Sequence, residues 1–159
     1  LLPPVCGRPI RVELRRSLGP HLASTSIPRR VILLDREVLV RTGEFERILI
    51  HEVFHFVWVR LANANRRSWE RVLQKEVRAR VTGELGWSAE WRKDALTIGD
   101  AARRSPKWRR YACESFCDSA AWLFGDLARH DEFTLAAGPR RARRQWFHAA
   151  FPRTSTIPI

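Results

Sequence analysis

The sequence predicts an α+β fold in a single domain over residues 1–159. Two features carry this. Strand-like alternation and β-branched runs are confined to residues 8–42, and the rest of the chain reads at helical spacing. Strands first and helices afterwards place a small sheet against a helical layer. A chain of 159 residues, 45% hydrophobic and 29% charged, is long enough to bury one sizeable core and is unlike a disordered polymer.

Taken in order, Ile10, Val12 and Leu14 alternate within "RPIRVELRRSL" (8–18), as in a half-buried strand. "PHLASTSIP" (20–28) is turn material. "RRVILLDREVLVRT" (29–42) is Leu-rich and β-branched but broken near Asp35–Arg36, which predicts two short strands. Thr42 is placed to cap the next segment, with Glu44 and Glu46 in its first turn, where the helix dipole favours acids. Apolar residues then run almost to Ala62, so this helix belongs deep in the domain. "NANRRS" ends it, and Ser68 opens an amphipathic helix over 69–81. Glycines 83, 86 and 99 punctuate the next stretch around a short helix, Ser88 to Leu96. Ser105–Pro106 opens a long helix over 107–128, because Ser is a good N-cap and Pro suits the first helical position. A last helix begins at Pro139, and "PRTSTIPI" reads as a tail.

Charge is lopsided: 29 Lys+Arg against 17 Asp+Glu, nearly all the excess being arginine. "RRSPKWRR" (103–110) and "PRRARRQW" (139–146) are its densest patches. They are either solvated helix surface or a surface for nucleic acid or acidic protein segments. No apolar run approaches the roughly 18 residues that span a bilayer. "LLPPVCG" lacks the pattern of a signal peptide, so the default expectation is a cytoplasmic protein. Cys6, Cys113 and Cys117 make no disulfide framework; the last two, four apart on one helix, are expected to be buried thiols acting as small hydrophobes.

The segment with the most chemistry is "ILIHEVFHFVWV" (48–59). On a helix, His51 and His55 lie one above the other and can offer two imidazole nitrogens to one metal ion. Glu52 sits beside that face, able to reach a zinc-bound water as a general base without being a ligand. A catalytic zinc site needs a third protein ligand. No histidine follows His55 by one or two turns, and the best candidate is Glu114 in "YACESFCDSAAWLF". Asp118, one turn further on, can accept the outer N–H of a ligating histidine and fix its tautomer.

With "HEVFH" followed by "ESFCD", the chain resembles the gluzincin branch of zinc metallopeptidases, the thermolysin-like group. The resemblance covers at most about a third of the chain. It implies a minimal zincin-like fold: a small twisted N-terminal sheet packed on an active-site helix and a second, ligand-bearing helix. It further implies Zn(2+) held by His51, His55 and Glu114, with Asp118 supporting the first histidine and Glu52 as the base. The activity so implied is zinc-dependent hydrolysis of peptide bonds, on a peptide or protein substrate that its basic surface would favour acidic. The gap from His55 to Glu114 is long for that group, and no downstream motif marks the residue that steadies the oxyanion. Tyr111, the only tyrosine, one turn before Glu114, is the first choice for it, with His130 and His148 as others. The competing readings are a nucleic-acid-associated protein, including a protease acting on DNA-bound proteins, and a catalytically silent metal-binding protein.

Overall fold

The computed structural model describes residues 2–41, 43–152 and 155–159. Strand β4 (Val31–Asp35) is the centre of a three-stranded sheet, with β2 (Arg11–Arg15) parallel on one side and β3 (Ala23–Ser26) antiparallel on the other. Its sequence, VILLD, is apolar enough for the middle position, and Ile32 and Leu34 are completely buried. The architecture is α+β, with this sheet on one side of a long apolar helix and, among the described residues, five further helices following it in the chain.

The two strands expected over 29–42 are one. Asp35 ends β4: its carboxylate accepts the backbone N–H of Leu18 at 2.8 Å and of Glu37 at 2.9 Å, capping a 3-10 turn over Arg36–Leu39. The second strand of the sheet lies instead in the stretch read as turn, since "ASTS" pairs with β4 from Ala23↔Leu34 to Ser26↔Val31. Small polar residues carry no strand signal; the pairing with β4 makes them one. On β2, Val12 and Leu14 follow the expected alternation yet stay nearly half exposed, because β2 is an edge strand that the helical layer does not cover.

Helix α1 (Glu44–Arg60) is embedded between two apolar clusters. Ile48 and Phe56 pack with Ile32, Leu34 and Val38 beneath the sheet. Ile50, Phe54 and Val57 pack on the other side with Trp69, Phe116 and Phe147. Contact on two sides explains why the segment is apolar almost throughout, and it leaves one strip of the helix for His51 and His55. The cap expected at Thr42 lies outside the described residues. Gly43 is the N-cap, at φ 78, and a side chain there would meet Leu127.

Helix α2 (Asn63–Arg78) starts earlier than expected. Leu61 and Ala62 take extended ψ values and turn the chain, so "NANRRS" opens the new helix rather than closing the old one. Ser68 is therefore no cap; its hydroxyl donates to the Asn65 carbonyl and accepts from Trp146 Nε1. Then come α3 (Trp87–Asp94), a single turn α4 (Asp100–Arg103), α5 (Pro106–Phe124) and α6 (Ala137–Ala150). Helix α5 starts as read, with Ser105 Oγ accepting from the Trp108 N–H, but stops at Gly125. The expected tail is anchored: β5 (Ile157–Pro158) pairs parallel with β1 (Val5–Cys6), and Ile157 is completely buried. Among the described residues no helix is long and apolar enough to cross a membrane.

Several arginines of the two basic clusters serve the fold. Arg143 is fully buried, Arg104 forms a bidentate pair with Glu70, Arg140 donates to the Phe133 and Leu135 carbonyls, and Arg144 lies over Trp122. Arg103, Arg109, Arg110 and Arg141 remain exposed.

Candidate metal centre

Helices α1 and α5 pack along their length and bring residues far apart in sequence to one cleft. His51 Nε2 lies 3.3 Å from Glu114 Oε2, and His55 Nε2 lies 4.0 Å from the same oxygen. Ligands about 2.0–2.1 Å from a tetrahedral ion sit roughly 3.3–3.4 Å from one another. The first pair is at that separation and the second is somewhat wider. The two imidazoles meet edge to face, with centroids 5.0 Å apart.

The other nitrogen of His51, Nδ1, is 2.7 Å from Asp118 Oδ1. Asp118 is held in turn at the start of α3, where Ser88 Oγ donates at 3.1 Å and the Ala89 N–H at 3.2 Å to its Oδ2. That is the end of a helix where the dipole favours an anion. The approach requires Gly86, since a Cβ there would stand 2.3 Å from the Asp118 carboxyl carbon. Ser88 Oγ also lies 3.0 Å from Glu114 Oε2, so its one proton is shared between the two carboxylates, and Arg92 lies 3.4 Å from Glu114 Oε1.

Electrostatics follow from this geometry. Burial opposes protonation of His51, but the charge and hydrogen bond of Asp118, then Glu114 and Glu52, raise its pKa well above the usual value. Burial likewise opposes ionisation of Glu114. The hydrogen bond and charge of His51, with His55 and Arg92, outweigh it and hold the carboxyl down at about 2. Glu114 is thus a ready anion, and a cation binding here competes with the His51 proton.

Glu52 is buried beside this face and accepts a 2.5 Å hydrogen bond at Oε2 from Thr25 Oγ1 of β3. It lines a cleft of about 190 Å³ together with His51, Asp118, Ser88, Arg47 and His21. Arg47 is occupied by Glu44 at 2.7 Å and Glu132 at 2.9 Å. His21 is exposed at the rim.

A second set of donors shares both histidines: His51, His55 and Cys117 offer ligand atoms within 4.8 Å of one another. The two sets differ in which nitrogens they use. Cys117 Sγ is 3.5 Å from His55 Nδ1, whereas Glu114 faces the Nε2 atoms of both rings. Because Asp118 occupies His51 Nδ1, only Nε2 of that ring is open to either set.

The structure therefore brings together His51, His55, Glu114 and Asp118, with Glu52 beside His51 and Asp118 in the cleft. It does not bring Tyr111 to the cleft. That side chain is fully buried, and its hydroxyl donates to Glu84 Oε1 at 2.6 Å. His130 pairs with Glu44, and His148 is exposed on α6 and lines no part of the cleft. Sequence reasoning missed Thr25, Ser88, Arg92 and His21. Only Ser88, just after Gly86 at a helix start, carried a signal that could have found it. Comparisons with protein-family models, with curated proteins and with solved structures find no match to this chain.

Proposed function

We propose that the protein is a zinc-dependent peptidase of minimal zincin-like architecture, with His51, His55 and Glu114 holding the metal. One observation carries the reading: two imidazole Nε2 atoms converge on one carboxylate oxygen, and one of those histidines, His51, lines a cleft with a separate glutamate, Glu52. The donor set fits zinc, being two neutral nitrogens and one anionic oxygen with the outer nitrogen of His51 already engaged. When bound, zinc supplies Lewis-acid polarisation of a carbonyl and makes a water acidic near neutral pH.

The chain's own groups do the rest. Thr25 holds Glu52 through Oε2, which leaves Oε1 to take a proton from water and pass it to the leaving amine. Asp118 keeps the His51 proton on Nδ1, so that Nε2 presents its lone pair. With Tyr111 committed to Glu84, His21, an exposed residue of the cleft lining, is our candidate donor to a developing oxyanion.

Glu52→Gln and Glu114→Ala test the assignment together. Glu52→Gln should keep zinc and lose peptide hydrolysis by at least about 100-fold, the low end of general-base contributions. Glu114→Ala should lose zinc itself, read by metal analysis after dialysis. A Glu52→Gln protein as active as the parent would remove Glu52 as the base, and full zinc occupancy in Glu114→Ala would move the third ligand elsewhere.

A further inference from the structure

His55 presents its two ring nitrogens to different surroundings. Nε2 faces Glu114, while Nδ1 lies 3.6 Å from Cys113 Sγ and 3.5 Å from Cys117 Sγ. The corresponding nitrogen of His51 goes to a carboxylate. We infer that Cys113 and Cys117 are positioning residues for His55, holding its Nδ1–H so that Nε2 is aimed at the metal position. This rests on the metal site proposed above and adds the support of its second histidine.

A ligating histidine needs a partner for its other nitrogen, which fixes both the tautomer and the plane of the ring. The two thiols are the groups within hydrogen-bonding reach of His55 Nδ1. Sulfur is a weak acceptor, and two sulfurs converging on one N–H compensate for that weakness. Cys117 is fully buried in the cluster that holds Phe54, Phe116 and Ala120, and Cys113 is only half-buried. Their spacing of four stacks both on one side of α5. One helix thus supplies a metal ligand, the support of His51 through Asp118, and the support of His55.

The test is zinc affinity by chelator competition, on the full chain and on two double variants. Cys113→Ala/Cys117→Ala should bind zinc about 10–100-fold more weakly, the usual loss when such an outer partner is removed. Cys113→Ser/Cys117→Ser should recover most of it, because a hydroxyl can accept the same N–H. Thermal midpoints of the metal-free proteins separate this from a general loss of packing. If the double alanine protein does not fold, Cys113→Ala alone at the half-buried position gives the same comparison with a smaller loss. The cobalt-substituted parent should show no sulfur-to-cobalt charge-transfer band. Such a band would make a cysteine a ligand and overturn the inference. Parent-like zinc affinity in the alanine variants would overturn it while leaving the metal site intact. A parent that takes up neither metal would remove the site and this inference together.

Discussion

Two buried clusters of charge adjoin helix α5, and they are built differently. In one, Arg143 of α6 bonds Glu76 and Glu84, each at 2.6 Å, and Lys93 approaches Glu84 at 3.3 Å, with Tyr111 closing the set. Two carboxylates meet two cations, and both Arg143 and Glu84 are out of contact with solvent. In the other, Glu52, Glu114 and Asp118 surround two histidines, and their partners are hydroxyls, one backbone N–H and a partly exposed Arg92. The first cluster is neutralised by its own side chains. The second carries more acid than its fixed cations balance, and protonating His51 is how the metal-free chain compensates. A closed ion network holds elements together, whereas a cluster with unbalanced acid shifts the pKa values of its members.

The sharpest way to break the comparison is at Arg143. Arg143→Met should lower the unfolding free energy by about 3–5 kcal/mol, the cost of leaving buried carboxylates without their partner. Zinc affinity of the folded fraction should not change. Denaturant unfolding paired with zinc titration measures both, and a variant of parental stability would mean that the network is not structural. The Glu52→Gln protein is the counterpart, expected to lose chemistry while its stability moves by about 1 kcal/mol or less, one exchanged hydrogen bond.

Gly86 tests the link between α3 and the site. Gly86→Ala places a methyl group against the Asp118 carboxyl and should push it off His51. Zinc affinity should fall about 10–100-fold, as when Asp118 itself is removed. Unchanged affinity would mean that α3 does not position Asp118.

A smaller and graded effect comes with pH. The pKa of His51 is raised in the folded state, so its contribution to the metal-free fold is complete below the unfolded value of 6.5 and is lost as pH rises through the raised value. Glu114 is held at about 2, so its contribution is present above 4.5 and is lost as pH falls toward 2. From these two groups the metal-free protein should be most stable between 4.5 and 6.5. Zinc must displace the His51 proton, so its affinity should rise about tenfold per pH unit while that proton is present. Thermal unfolding with and without zinc should therefore show a metal-dependent gain that grows with pH. A gain independent of pH would separate His51 from the metal.

Legibility differed by the kind of signal. Helices α1 and α5 could be read because periodic apolar residues and the Ser105–Pro106 start are local features. His51, Glu52 and His55 were legible for the same reason, since i and i+4 spacing is geometry the helix itself supplies. Glu114 and Asp118 could be named as the acids of an apolar helix. Strand β3 could not be found in "ASTS", nor β5 in "TIPI", because neither segment has a preference of its own and each is made a strand by its neighbour. Tyr111 misled for a related reason: its position on α5 relative to Glu114 was readable, but not what stood opposite.

The sequence by itself determined the α+β class, the two principal helices and the chemistry that each can carry, because helical hydrogen bonds and side-chain directions are set within a few residues. Tertiary structure decided what those chemistries face. Packing α1 on α5 brought Glu114 to the histidines, Gly86 let α3 close on Asp118, β3 supplied Thr25 to Glu52, and Glu84 took the Tyr111 hydroxyl. Each of these joins residues between 27 and 67 positions apart or depends on a contact of that kind, a range over which local propensity has no say.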